Sequence, residues 1–147
     1  VSCIECDVIA GRSETPGGFV LEHELFVAHA LIAPCPIAGW VVLAPRRHAQ
    51  WWWELTDEEA RELGPLARKI LLAQRAALGA EHGYAFAIGD VLHHMHLHLV
   101  PRYAATPRHL RGRGAFDAAK EEMLPVEEVA KAARALRAAL IPSVIGP

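Results

Sequence analysis

Residues His94-Met95-His96-Leu97-His98-Leu99-Val100 constrain this chain more than any other stretch. Three histidines alternate with apolar residues, the period of a β-strand whose successive side chains point to opposite faces. On a helix the same imidazoles would be spread around the axis. The spacing therefore predicts a strand with His94, His96 and His98 on one face and Met95, Leu97 and Leu99 entering a core on the other. Three aligned imidazoles have three physical uses. They can bind a catalytic metal, they can supply a nucleophile with hydrogen-bonding neighbours, or they can be polar groups on an exposed sheet face. Strict alternation makes the last the weakest explanation.

The rest of the chain reads as further short elements. Phe19–Glu22 and Glu24–Ala30 look like two strands around a turn, and Gly39–Pro45 like a buried central strand stopped by its proline. Tyr84–Ile88 forms a strand that enters the histidine strand through a Gly89-Asp90 turn, as a hairpin. Asp7–Gly11 reads as a short helix. Thr56-Asp57-Glu58-Glu59 is a capping box, opening a helix that runs to about Leu78 and stops at Gly79. Leu63, Leu66, Ala67, Ile70, Ala77 and Leu78 fall near one face of it, and Gly64-Pro65 invites a kink. Val126–Leu140 is a second amphipathic helix, with acids early and arginines late as the macrodipole favours.

Composition narrows the function. A chain of 147 residues, 52% hydrophobic and 22% charged, can bury a core as one domain over 1–147, with a motif-bearing part over 1–103 and a basic loop and helix over 104–147. A net charge of −2 gives no global pull toward nucleic acid, so any attraction for phosphate is local. No apolar run approaches a membrane span and no signal-peptide layout opens the chain, which points to the cytoplasm. Arg108, Arg111 and Arg113 form a basic loop that could collect phosphate or simply face solvent. Trp51-Trp52-Trp53 reads as packing over the next helix or as an interface, ahead of a base-stacking surface. His23 and His29 read as solvated or internally satisfied, and Cys35, between two prolines, as a packing residue.

Three cysteines argue against a disulfide framework. Cys3-Ile4-Glu5-Cys6 has the spacing of half a tetrahedral zinc site, with a redox pair as the alternative. His48, just after Arg46-Arg47, and one triad histidine would complete a closed Cys2His2 set. His94 suits best because it lies at the entering end of the strand. That leaves His96 free as a nucleophile toward phosphorus and His98 to hold the non-bridging oxygens. A metal held wholly by the triad would leave Cys3, Cys6 and His48 without a role.

The stretch His94 to Val100 resembles the signature of the histidine triad family of nucleotide hydrolases and transferases, in which histidines alternate with apolar residues. The CxxC near the start, Gly39-x-Val-Val-Leu-x-Pro-Arg-Arg-His48, the Leu55-Thr56 helix start and Pro101-Arg102 follow in the family's order. The resemblance implies an α+β fold with an antiparallel sheet of about five strands, one long helix and one C-terminal helix, frequently as a homodimer. It implies that His96 attacks the α-phosphorus of a nucleotide or nucleoside phosphate to give a nucleotidyl-histidine. It also implies a structural zinc ion on Cys3, Cys6, His48 and His94. Trp40, Gly89, Asp90, His98 and Arg102 fall where the substrate would be bound.

This chain departs from the pattern at three places. Trp40 stands where many members have histidine, and the residues about eight positions earlier, Leu31-Ile32-Ala33, lack the acid that grips ribose hydroxyls. The connection Ile88-Gly89-Asp90-Val91-Leu92-His93 is short and puts Asp90 and Val91 where phosphate-touching residues are expected.

Overall fold

The computed structural model describes residues 2–141, and in it two strands have every residue buried: β2, Phe26–Ala30, and β3, Val41–Pro45. Burial on both faces marks them as the centre of a sheet. They are flanked by β1 (Phe19–Glu22), β4 (His82–Phe86) and β5 (Leu97–Arg102) in the order β1-β2-β3-β5-β4, with every neighbouring pair antiparallel. The helices are α1 (Ile4–Ile9), α2 (Asp57–Leu78) and α3 (Val126–Leu140). This is the α+β arrangement that the sequence predicts. Residues 1 and 142–147 of the expected domain span lie outside the described residues.

The sheet's alternation separates two jobs. Ala30, Val41 and Leu99 pair across the central strands, as do Ala28, Leu43 and Leu97, and both rows belong to the main core. That face takes Leu63, Leu66, Ala67, Ile70 and Ala73 of α2. The opposite face carries the row His29–Val42–His98–Phe86, one residue from each of four strands. Residues directly opposite on paired strands project from the same face. The apolar side of the histidine stretch is thus a core layer, and its polar side looks into the functional face.

Helix α2 begins as expected. Thr56 Oγ1 accepts from the Glu59 amide, and Glu59 returns a carboxylate to the Thr56 amide. It ends at Gly79, whose φ of 75° is the left-handed conformation that terminates helices. Pro65 lies inside the helix, which continues through it. Ala77, assigned to the buried face by periodicity, is exposed, and the buried position is Gln74. Gln74 Nε2 donates to the carbonyls of Gly39 (2.8 Å) and Leu99 (2.9 Å), bolting α2 to the strands that carry Trp40 and the histidines.

Other boundaries shift for identifiable reasons. The first helix runs Ile4–Ile9 instead of Asp7–Gly11, because the Cys3 sulfur accepts from the Cys6 amide and starts the turn there. β2 starts at Phe26, β3 at Val41, and β4 spans His82–Phe86 instead of Tyr84–Ile88. β5 begins only at Leu97, so His94 and His96 precede the strand predicted to contain them. Beyond Leu43 the partner strand reaches Pro45, which has no amide proton to offer a ladder. Its carbonyl is taken by the His94 side chain, and the Met95 amide donates to the Ala49 carbonyl instead (2.7 Å). The link between β4 and β5 covers residues 87–96, longer than a tight hairpin turn.

Replacing Gln74 with methionine keeps the volume and removes both donors. Urea unfolding of that variant is expected to show a loss of about 1–3 kcal/mol, the cost of unpaired buried carbonyls, with the m-value unchanged.

Candidate active site

The site grows from one residue, His94, which is fully buried. Its Nε2–H donates to the Pro45 carbonyl at 2.8 Å, which fixes the ring and leaves Nδ1 as the free lone pair. Nδ1 faces Cys3 Sγ at 3.5 Å, Cys6 Sγ at 3.6 Å and His48 Nδ1 at 3.1 Å, and Cys6 Sγ lies 3.2 Å from His48 Nδ1. One ligand atom from each of these four residues lies within 4.8 Å of the others. The CxxC turn brings both sulfurs together, and the loop after β3 supplies the imidazole. Two thiols and two imidazoles are the donor set of a closed tetrahedral zinc site, so the residues fit such an ion. Burial, then the neighbouring Cys3 thiol and nearby acids, raise the Cys6 thiol above its ordinary value.

With both ring nitrogens engaged in this way, His94 cannot share an ion with His96 and His98. The metal-on-triad arrangement therefore does not fit. His94 contributes differently to the chemistry. Its backbone carbonyl accepts the Nδ1–H of His96 at 2.7 Å, which places the remaining proton-free nitrogen of His96 at Nε2. His96 is 6% exposed and lines a cavity of about 340 Å3.

That cavity lies over the row His29–Val42–His98. Its walls include Ile4, Leu31, Ile32, Ile88, Val91 and Phe116, and its polar groups are Glu5, His29, Asp90, His96 and His98. Among the described residues no lysine or arginine lines it. The ring of His98 stands edge-on to His96 with centroids 4.8 Å apart. Burial, and then the neighbouring His96, push the His98 imidazole down to about 4, so it is neutral at ordinary pH.

The residues expected around the substrate divide clearly. Gly89 and Asp90 line the cavity from the β4–β5 connection. Gly89 has φ 73°, and a Cβ there would lie 2.3 Å from the Trp51 ring, so only glycine fits. Trp40 is buried behind His98 and donates its indole N–H to His98 Nδ1 at 3.0 Å. It does not line the cavity. Arg102 sits at the other end of β5, paired with His82, well away from the cavity. Arg108, Arg111 and Arg113 also stay outside. Arg111 donates to the Thr106 and Ala104 carbonyls. Of the three tryptophans, Trp51 is half-buried against Gly89, whereas Trp53 is 81% exposed. Cys35 is buried, as expected, and its thiol donates to the Ile37 carbonyl.

Two features escaped the sequence. Phe116, from the turn Gly112–Asp117, meets His98, Trp40 and Phe86 edge-to-face with centroids 5.0–5.2 Å apart. No periodicity marks an aromatic in a glycine-broken loop. The second is the buried pair of Glu5 and His29, each no more than 2% exposed. His29 donates Nδ1–H to the Ala30 carbonyl (2.8 Å) and Nε2–H to both Glu5 oxygens (3.0 and 3.1 Å). His29 was expected to be satisfied, but its partner lies inside the CxxC turn and gives no local signal.

Burial alone would lower the His29 imidazole. The hydrogen bond and charge of Glu5, with the Ala30 carbonyl, outweigh it and raise the group. A raised native value means that stabilisation is complete below about pH 6.5 and is lost as pH rises through that native value. His29→Gln is expected to cost about 3–5 kcal/mol at pH 6, because Glu5 is left buried without its cation. The gap between parent and variant in urea unfolding should narrow toward pH 9, and a gap independent of pH contradicts the charged pair.

Comparison with known proteins agrees with this geometry. The HIT domain family model matches residues 12–105. The chain is 30% identical over 107 residues to the protein named hit of Bacillus subtilis, covering 69% of this chain and 72% of that one. It is equally similar, at 30% over 107 residues, to the adenosine 5'-monophosphoramidase hnt1 of Schizosaccharomyces pombe, covering 69% and 75%. Among solved structures, a hypothetical histidine triad nucleotide-binding protein of Sulfolobus tokodaii superposes with a TM-score of 0.75 at 21% identity, over 94% of this chain and 91% of that one. A zinc-bound histidine triad family protein of Mycobacterium smegmatis gives 0.73 at 21% identity, over 95% of each chain. The extent of the family match, the sheet and the triad together make this chain a member of the histidine triad, or HIT, family.

Proposed function

We propose that this protein cleaves nucleotides at the α-phosphorus through a covalent nucleotidyl-His96 intermediate, acting as a hydrolase or as a nucleotidyltransferase. The observation that carries the reading is the bond from His96 Nδ1–H to the His94 carbonyl, which leaves the Nε2 lone pair at the cavity. Nε2 attacks phosphorus, an N–P bond forms, and the bond to the leaving group breaks with its electron pair. The leaving group takes a proton from solvent. Water or another acceptor then breaks the N–P bond, releasing the nucleoside monophosphate or its adduct and restoring His96. Splitting one displacement in two is what a nucleophile contributes. His98 holds the non-bridging oxygens as charge builds on them.

The activity of the fission-yeast relative supports a nucleoside phosphoramidate as first test substrate. With it, His96→Ala is expected to lower kcat by at least about a thousand-fold while the fold and metal content are retained. Turnover at the parental rate sinks the covalent role. A zinc-stabilised binding module is the second reading, favoured by Ile32 at the ribose end and by Asp90 on the cavity rim. Saturable nucleotide binding with no turnover across phosphoramidates and dinucleoside polyphosphates would select it.

The metal in this reading is zinc, held by Cys3 and Cys6 through sulfur and by His48 and His94 through Nδ1, with a structural role. Four protein ligands leave no open position for substrate. The Cys3→Ser/Cys6→Ser double variant is expected to lose stoichiometric zinc in elemental analysis and to melt at lower temperature, since metal binding contributes directly to folding. Zinc retained at full stoichiometry in that variant would move the ion elsewhere.

A further inference from the structure

Trp40 stands immediately before β3, nearly sealed from solvent, with its ring behind His98. Gly39 before it has φ 87°, and a Cβ there would meet Leu78 at 2.5 Å and the Tyr103 hydroxyl at 2.8 Å. The chain is thus packed tightly where the indole is aimed. An indole N–H is a donor only. It lies 3.0 Å from His98 Nδ1, which must therefore accept. A neutral imidazole carries one proton, and with Nδ1 accepting, that proton sits on Nε2.

We propose that Trp40 is a positioning residue that holds His98 as the neutral Nε2–H tautomer, so that His98 offers the substrate a hydrogen-bond donor and does not act as an acid. Placing a second proton on Nδ1 would set two N–H groups against each other across 3.0 Å. A histidine at position 40 could both donate and accept, and so pass a proton on. A tryptophan cannot. The surroundings reinforce the same state. Val42 and Phe86 flank His98 in its cross-strand row, and Phe116 covers it edge-on. The titratable group beside it is His96, and across the cavity stand the Glu5–His29 pair and the exposed Asp90. Among the described residues no lysine or arginine lines the cavity to alter that balance. The depressed value of His98, about 4, has the same direction.

His96 and His98 therefore take opposite tautomers two residues apart. His96 donates its Nδ1–H to a backbone carbonyl and shows the cavity a lone pair. His98 accepts a hydrogen bond at Nδ1 from the Trp40 indole N–H and shows the cavity an N–H. One side chain is a nucleophile and the other a donor because of what holds the far side of each ring.

The assignment is tested on the zinc-loaded full chain labelled with 15N-histidine, using two-bond proton–nitrogen correlations from pH 5 to 8. His98 is expected to show a protonated Nε2 and an unprotonated Nδ1 throughout. An Nδ1–H or doubly protonated His98 at pH 6 overturns the proposal without any variant. In Trp40→Phe, His98 is expected to become a tautomer mixture and to titrate at higher pH, and an unchanged His98 pattern overturns the role of Trp40. The catalytic consequence rests on the function proposed above. With a nucleoside phosphoramidate, Trp40→Phe should lower kcat by about ten- to a hundred-fold with little change in KM, as expected when a transition-state donor is no longer aimed. An unaltered kcat counts against the consequence. Absence of turnover in the parent would refute the proposed function and leave the tautomer assignment to the spectra.

Discussion

Three atoms of His94 tie together everything that distinguishes this molecule. Its Nε2–H anchors to the Pro45 carbonyl, its Nδ1 turns to the two sulfurs and His48, and its backbone carbonyl takes the Nδ1 proton of His96. The first contact sets the second, because an imidazole with one nitrogen donating presents the other as a lone pair. The third orients the proposed nucleophile. The four-residue cluster and His96 are thus tied through one residue, and a shift of the His94 backbone would misplace both. An ion bound by these four residues would hold the segment before β5 in a shape that ladder pairing does not enforce, since Pro45 cannot donate to it.

The polar face of the sheet depends equally on packing from behind. Gln74 hydrogen-bonds the carbonyls of Gly39 and Leu99, and Trp40 follows Gly39 while His98 precedes Leu99. One buried amide on α2 therefore fixes the spacing of the two residues whose side chains meet at 3.0 Å on the other face. On the metal side, Arg47 makes a two-point contact with Glu59 at 2.9 and 3.0 Å, and the same carboxylate caps α2. His48 is the next residue, so the start of α2 helps to set a member of the Cys2His2 cluster. Stability and site geometry are served by the same few side chains.

Much of this was legible because it is periodic or local. Alternation over His94–Val100 predicted a core face and a polar face, and Leu97 and Leu99 pair with Leu43 and Val41 on the core side. The capping box and Gly79 bound α2 correctly because both are read from adjacent residues. The Cys2His2 set emerged from donor chemistry and the family resemblance, and the four residues do meet. What was illegible is long-range and aperiodic. Nothing near Glu5 announces His29, twenty-four residues away. Nothing near Trp40 announces that its ring lies behind His98 instead of walling the cavity. Phe116 arrives from a turn with no pattern, and Arg102 carries the right motif position but stands at the wrong end of its strand.

The charge of the cavity follows from these same placements. Arginines at 108, 111 and 113 looked like collectors of phosphate, yet the turns over 108–117 bring Phe116 to the cavity instead. The His29 ring at its wall is already neutralised by Glu5. A phosphate entering here would meet the neutral His98 ring in a largely apolar enclosure, where hydrogen bonds are strengthened and unpaired charge is costly. In the proposed reaction such a site would stabilise charge by the direction of its donors and not by counter-charge. Direction is a matter of tautomers, and the tautomers are set by a carbonyl behind His96 and an indole behind His98.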